Sequence, residues 1–141
     1  MKNTTVFLGG TCNGSTWREK LIPLLKNIDY FNPVVKNWTP ECQAREIEAR
    51  KTSDYVLYVI TPKMTGFYSI AESVEDSNKR PEKTLFCYLV DDDGQVFSKH
   101  QIRSLLSTSA LITANGAKCF NSLQELADFL IQNLDNLLIK R

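Results

Sequence analysis

The stretch that decides the fold is Asp54-Tyr55-Val56-Leu57-Tyr58-Val59-Ile60-Thr61-Pro62, followed by Gly66-Phe67-Tyr68-Ser69-Ile70-Ala71-Glu72. The apolar run Tyr55–Ile60 does not alternate with polar residues, so it reads as a strand buried on both faces. Thr61-Pro62 breaks it, a short loop turns at Gly66, and a helix opens with a carboxylate, Glu72, in its first turns. In an open α/β sheet a ligand sits at the carboxyl ends of the strands. A carboxylate near the start of a helix meets the positive end of the helix dipole, which keeps it ionised. An ionised carboxylate at such a place is a candidate nucleophile toward a sugar carbon. A plainer reading stands beside it: Ser69-x-x-Glu72 matches a capping box, which needs no catalysis.

Working outward, strand and helix alternate five times. Thr5-Val6-Phe7-Leu8 is a strand that runs into Gly9-Gly10. Ser15 or Thr16 caps a helix expected to reach about Asn27, with Trp17, Leu21, Leu24, Leu25 and Ile28 on one face. Tyr30–Val35 is a second strand, irregular or at an edge because of Pro33. Thr39-Pro40 opens a second helix, with threonine as N-cap and proline at the first helical position. The helix begun at Ser69 ends near Asn78, before Pro81, and Thr84–Leu89 is the fourth strand.

Asp91-Asp92-Asp93-Gly94 then reads as a turn. Ile102, Leu105, Leu106, Ala110 and Thr113 mark a fourth helix stopped by Asn115-Gly116. Ala117–Phe120 is a short fifth strand. Ser122-Leu123-Gln124-Glu125 caps a last helix carrying Leu126, Phe129, Leu130, Leu134, Leu137 and Leu138. Strands alternating with helices imply a parallel sheet covered on both faces. The expectation is a flavodoxin-like, doubly wound α/β sandwich of five strands in order 2-1-3-4-5, with residues 1–141 forming one domain.

Composition narrows the function. The chain has 141 residues, 43% hydrophobic and 23% charged, with 17 basic against 16 acidic residues and a net charge of +1. That balance makes no electrostatic case for nucleic acid or an anionic membrane as partner. No apolar stretch is long enough to span a bilayer, and the first apolar run is too short for a signal peptide, so a cytoplasmic protein is expected. Cys12, Cys42, Cys87 and Cys119 are widely spaced, and His100 is the only histidine. No metal-ligand pattern and no Ser-His-Asp arrangement is persuasive, so neither a metal nor another cofactor is implied. Cys87 and Cys119 read as small core residues, and His100 as a surface residue.

Three loops should meet at one rim of the sheet. The first, Gly9-Gly10-Thr11-Cys12-Asn13-Gly14-Ser15-Thr16-Trp17, lets backbone approach a ligand, but has neither dinucleotide nor Walker spacing. The second holds Asn37-Trp38, where Trp38 either stacks on a base or packs its helix onto the sheet. The helix after it carries Arg45, Glu46, Glu48 and Arg50, read mostly as a solvated face. The third loop, Lys63–Tyr68, leads to Glu72, with Glu75 and Asp76 one turn on as either acid–base groups or surface. Gly9, Gly10, Thr11, Asn37, Trp38, Gly66, Ser69 and Glu72 are expected to line one pocket.

These features resemble the nucleoside 2-deoxyribosyltransferase-like family. The resemblance rests on Val6-Phe7-Leu8-Gly9-Gly10-Thr11, on Phe31-Asn32-Pro33, and on Asp54–Pro62 followed by Gly66–Glu72. It implies an enzyme that breaks an N-glycosidic bond, with Glu72 as the nucleophile that forms a glycosyl-enzyme ester. A second nucleobase, or water, then accepts the sugar. The implied partner is a small-molecule nucleoside or nucleotide. Relatives build sites across subunits, which makes a homo-oligomer an expectation. Gly9, Gly10, Thr11, Asn37, Trp38, Gly66, Tyr68 and Ser69 are the candidate substrate contacts, with Glu46 or Glu48 as the sugar-binding carboxylate.

Two stretches depart from the family pattern. Family members often place a tyrosine near the end of the first strand, whose hydroxyl helps hold the nucleophile, and Phe7 stands here. Lys63-Met64-Thr65 replaces loop aspartates, and Tyr68 is the alternative source of a hydroxyl. Two other functions compete. TIR-type domains share this architecture and a helix-borne glutamate, which suggests cleavage of NAD. A nucleotide-binding module without turnover is the reading outside enzymes.

Overall fold

The structure, a computed structural model, describes residues 3–12 and 14–134. Asn13, Leu137 and Leu138 lie outside the described residues. The main sheet has five parallel strands in spatial order β2-β1-β3-β4-β7. They are β1 (Thr4–Gly10), β2 (Ile28–Phe31), β3 (Tyr55–Ile60), β4 (Thr84–Tyr88) and β7 (Lys118–Phe120). The helices are α1 (Trp17–Leu21), α2 (Pro40–Thr52), α3 (Tyr68–Lys79), α4 (Lys99–Ala114) and α5 (Leu123–Gln132). This is the doubly wound, flavodoxin-like order expected from the sequence. The fifth strand is numbered β7 because a hairpin, β5 (Asp91–Asp92) with β6 (Gln95–Val96), intervenes. Its turn residues Asp93 (φ +52°) and Gly94 (φ +87°) are both left-handed, as a two-residue hairpin of this hand requires.

Successive residues of the central strands point to opposite faces. Val6, Leu8, Tyr55, Leu57, Val59, Leu85 and Cys87 pack with Trp17 and Leu21 of α1 and with Leu126, Ala127 and Leu130 of α5. Phe7, Val56, Tyr58, Ile60, Phe86 and Tyr88 face the other way, toward Leu105 and Ile112 of α4. Cys87 is buried, and burial pushes its thiol up to about 12. His100 is exposed at the start of α4.

Three boundaries differ from the sequence reading. α1 stops at Leu21 and gives way to a 3-10 turn over Ile22–Leu24, because Pro23 has no N–H to continue the helical ladder. β2 runs from Ile28, which the spacing assigns to the first helix, to Phe31 instead of over Tyr30–Val35, and it stops directly before Asn32-Pro33. α3 begins at Tyr68, with Phe67 as N-cap and no side-chain cap, so Ser69 and Glu72 do not form the capping box that their spacing suggests. Thr39 before α2, Ser98 before α4 and Ser122 before α5 each accept the bond from the N3 backbone N–H, whereas Thr16, the N-cap of α1, makes no side-chain cap bond. Among the described residues no helix is long and apolar enough to cross a membrane.

Candidate active site

The site is assembled at the carboxyl ends of β1 and β3, where the two strands are locked together beyond their ladder. A Cβ on Gly10 (φ +125°) would lie 2.0 Å from the Val59 carbonyl oxygen, so only glycine lets β1 close on β3 here. Thr11 N–H then donates to Val59 O at 2.9 Å, and Thr61 N–H donates to Thr11 Oγ1 at 3.0 Å. The first loop is also held from below. Trp17 Nε1 and Arg18 Nη1 both donate to Thr11 O at 2.8 Å, and Arg18 Nε donates to Leu8 O at 3.1 Å. Arg18 stacks on Trp17, 4.4 Å from the ring centroid. Burial holds its guanidinium below the ordinary value, with Cys12 opposing.

A cavity of about 280 Å³ opens at this rim. Gly9, Gly10 and Thr11 line it from β1 and its loop, Glu46 from α2, and Gly66, Tyr68, Ser69 and Glu72 from the third loop and α3. Phe7, Pro33 and Met64 supply apolar wall. Asn37 and Trp38 are not among the lining residues, and Trp38 is 60% exposed. The chain between Phe31 and Thr39 runs over the surface before α2 begins, and it turns Pro33 inward instead of the tryptophan. Of the two glutamates considered on α2, Glu46 reaches the cavity and Glu48 is exposed.

Glu72 faces the cavity and an ion-pair network behind it. Its Oε2 lies 3.1 Å from Arg50 Nη1, with the Glu72 side chain 18% and the Arg50 side chain 11% exposed. Arg50 also grips Asp76 side-on, Nε to Oδ2 at 3.2 Å and Nη2 to Oδ1 at 3.0 Å, and it reaches Glu75 Oε2 at 3.1 Å. Asp76 is fully buried and takes a third bond from the Tyr58 hydroxyl at 2.5 Å. Arg80 Nη1 stands 3.4 Å from Asp76 Oδ1 and donates to the Arg50 carbonyl at 3.0 Å. Gly9 makes room for this network, because a Cβ there would lie 2.7 Å from the Tyr58 ring.

The electrostatics follow from one guanidinium serving several acids in a half-dry place. Burial pushes the Glu72 carboxyl up to about 7, Arg50 opposes this, and Glu46, Asp76 and Glu75 add to the rise. The ion pair and the raised value pull in opposite directions. Burial prevails because Arg50 is shared with Asp76 and Glu75. Burial also raises the Glu46 carboxyl, again opposed by Arg50. Arg50 itself is held above its ordinary value despite burial, by Asp76, Tyr58 and Glu72. Burial and then Asp76 keep the Tyr58 phenol protonated, so it serves as a donor.

The sequence reading treated the charges of α2 as mostly solvated and did not single out Tyr58. Arg45 and Glu48 are exposed, but Glu46 and Arg50, one turn apart, share the inward face. The signal was present as paired spacings. Glu46/Arg50 and Glu72/Asp76 are both i,i+4 pairs, and Tyr58 lies between Val56 and Ile60 on the strand face toward them.

The rim is closed on its other side by the hairpin. Ser15 Oγ donates to Asp92 Oδ2 at 2.6 Å, and Lys63 Nζ reaches Asp93 Oδ2 at 2.9 Å and Gly14 O at 3.2 Å. Lys63 therefore ties the third loop to the first loop and to the hairpin. No group of three or more His, Cys, Asp or Glu among the described residues is placed to hold a metal ion.

Fold and rim together define an α/β protein with a carboxylate-bearing cleft at the ends of β1 and β3. The chain belongs to the nucleoside 2-deoxyribosyltransferase-like family, whose model matches residues 3–88. That span holds β1 to β4, the first loop, Arg50, Glu72 and Asp76. No curated protein matches the chain. A crystal structure of a conserved protein from Enterococcus faecalis V583 is similar, with a TM-score of 0.56 and 20% identity. The match covers 94% of this chain and 100% of that one, a likeness of fold alone.

Proposed function

We propose that this protein cleaves or transfers at the N-glycosidic bond of a nucleoside or nucleotide, with Glu72 as nucleophile. A Glu72 carboxylate oxygen bonds to the anomeric carbon as the carbon–nitrogen bond breaks, and the bond's electron pair leaves with the base, which takes up a proton. Water or a second base then attacks the same carbon and frees the carboxylate. The observation that carries this reading is that Glu72 lines the cavity and does not cap α3. Family membership supports the reaction class. Glu46, from the opposite wall, is the candidate carboxylate for the sugar hydroxyls. Gly9, Gly10 and Thr11 offer backbone to the substrate, and Tyr68, 73% exposed at the mouth, offers a ring face to a base.

Nucleophilic attack needs the ionised carboxylate. With Glu72 pushed up to about 7, base release should rise as pH climbs through that value.

The test is release of free base from 2′-deoxynucleosides, nucleoside monophosphates and NAD, separated by chromatography. Glu72→Gln should lower the rate on a true substrate at least about a hundredfold, on the order of 3 kcal/mol in the barrier. Equal rates in wild type and Glu72→Gln would refute the assignment. Turnover of NAD alone would move the reading to a NAD glycohydrolase. Binding without turnover in either protein would leave a nucleotide-binding module.

A further inference from the structure

We propose that Arg50, aimed by Asp76 and Tyr58, is the residue that positions Glu72 for attack. The proposal rests on the reading of Glu72 as nucleophile and adds what holds it. Phe7 sits at the cavity wall stacked on Phe31, with ring centroids 5.8 Å apart, and presents no polar atom to a carboxylate. The constraint on Glu72 comes from behind instead.

A guanidinium is a planar fork, so two bonds along one edge fix where the remaining nitrogen points. In Arg50 that edge is Nε and Nη2, which take both oxygens of Asp76 at 3.2 and 3.0 Å. Nη1 is left, and it meets Glu72 Oε2 at 3.1 Å. With Oε2 engaged, Glu72 has Oε1 to offer the substrate. Asp76 is itself immobilised by the Tyr58 hydroxyl, borne on the central strand β3. Position is thus passed from the sheet through Asp76 to Arg50 and on to the nucleophile, linking β3, α3 and α2. A lysine at position 50 would keep the charge and lose the fork.

Charge and aim separate experimentally. The groups facing Glu72 are Arg50 and Glu46 of α2, Glu75 and Asp76 of α3, and Tyr58 of β3. Arg50→Lys preserves the cation, so the pH midpoint of base release should stay near the wild-type one. Its kcat should fall on the order of tenfold to a hundredfold with KM little changed, because the carboxylate is misplaced rather than discharged. Arg50→Gln removes the cation and should move the midpoint up by about 1–3 pH units. Tyr58→Phe deletes only the hydroxyl that fixes Asp76, and should lower kcat by about threefold to tenfold without moving the midpoint.

A second readout needs no turnover. Carbon-13 carboxyl titration, with the Glu72 resonance assigned by its loss in Glu72→Gln, should show the Glu72 midpoint rising in Arg50→Gln. Wild-type kcat in both Arg50→Lys and Tyr58→Phe would overturn the positioning role. An unchanged Glu72 titration in Arg50→Gln would overturn the pairing. If the Arg50 variants do not fold, Tyr58→Phe decides. A protein that turns over no substrate would defeat the nucleophile reading alone, while the titration still judges the Arg50–Glu72 pair.

Discussion

Both faces of the sheet carry an apolar layer, and one of them adds a charged network at the rim. On the α1/α5 face, α5 buries Leu126, Ala127 and Leu130 against apolar side chains, and the charged residue that α1 buries, Arg18, donates to the carbonyls of Leu8 and Thr11. On the other face, α3 buries Ser73, Asp76 and Ser77, and of α2 only Cys42 is buried. There Ala49, Ile70 and Val74 pack on the apolar layer, and Arg50, Asp76, Tyr58 and Glu72 add a charged contact between α2, α3 and β3. Hydrophobic contact is non-directional and tolerates small shifts, whereas forked charge-assisted bonds specify orientation at a cost in desolvation. Both faces bury apolar area, and the α2/α3 face also bears the desolvation cost of the charged network beside Glu72.

Substitutions on the two faces should therefore differ in kind as well as size. Asp76→Ala leaves Arg50 half-buried without its main partner and should cost about 3–5 kcal/mol in denaturant unfolding. The folded fraction should also lose base release, because Arg50 is no longer aimed. Leu130→Ala, a fully buried truncation on the α1/α5 face, should cost about 2–5 kcal/mol, with the activity of the folded protein unchanged. Loss of activity in folded Leu130→Ala, or full activity in folded Asp76→Ala, would break the contrast.

A smaller effect tests the cost of the charged network directly. The folded-state value of Glu72, about 7, lies above its ordinary 4.5, so the folded protein holds this proton more tightly than the unfolded chain. The associated stability is fully present below about 4.5 and is lost as pH rises through about 7. Glu72→Gln is neutral throughout and keeps it. At pH 8 this variant should be more stable than wild type by about 2–3 kcal/mol after allowing for solvent screening, with the two converging near pH 4, as thermal unfolding at both pH values would show. A wild type more stable than Glu72→Gln at pH 8 would mean that the Arg50 pair outweighs burial. The smallest effect belongs to the outer end of the network. Lys79 and Glu75 form an exposed i,i+4 pair at 2.9 Å, and Lys79→Ala should change stability by only about 0.3–0.5 kcal/mol and leave base release alone.

Several features of this chain were settled by residues close together in sequence. The unbroken run Tyr55–Ile60 made β3 a central strand, because only burial on both faces tolerates six such residues in a row. Thr39-Pro40 and Ser122–Glu125 marked helix starts through bonds that span three residues. Strand–helix alternation with right-handed crossovers left the sheet order nearly determined, and Gly9-Gly10 and Glu72 could be assigned to one rim before any coordinate was known. Tertiary structure decided the rest. Whether Ser69 and Glu72 cap α3 or Glu72 turns to the cavity depended on where the chain enters the helix, which is at Tyr68 with Phe67 as N-cap. Trp38 or Pro33 as cavity wall depended on the path of the second loop. The roles of Arg50, Asp76 and Tyr58 depended most of all on folding, since their partners lie 18 and 26 residues apart. A charge's partner across such distances is chosen by packing, and local periodicity records only which face of its own helix or strand it occupies.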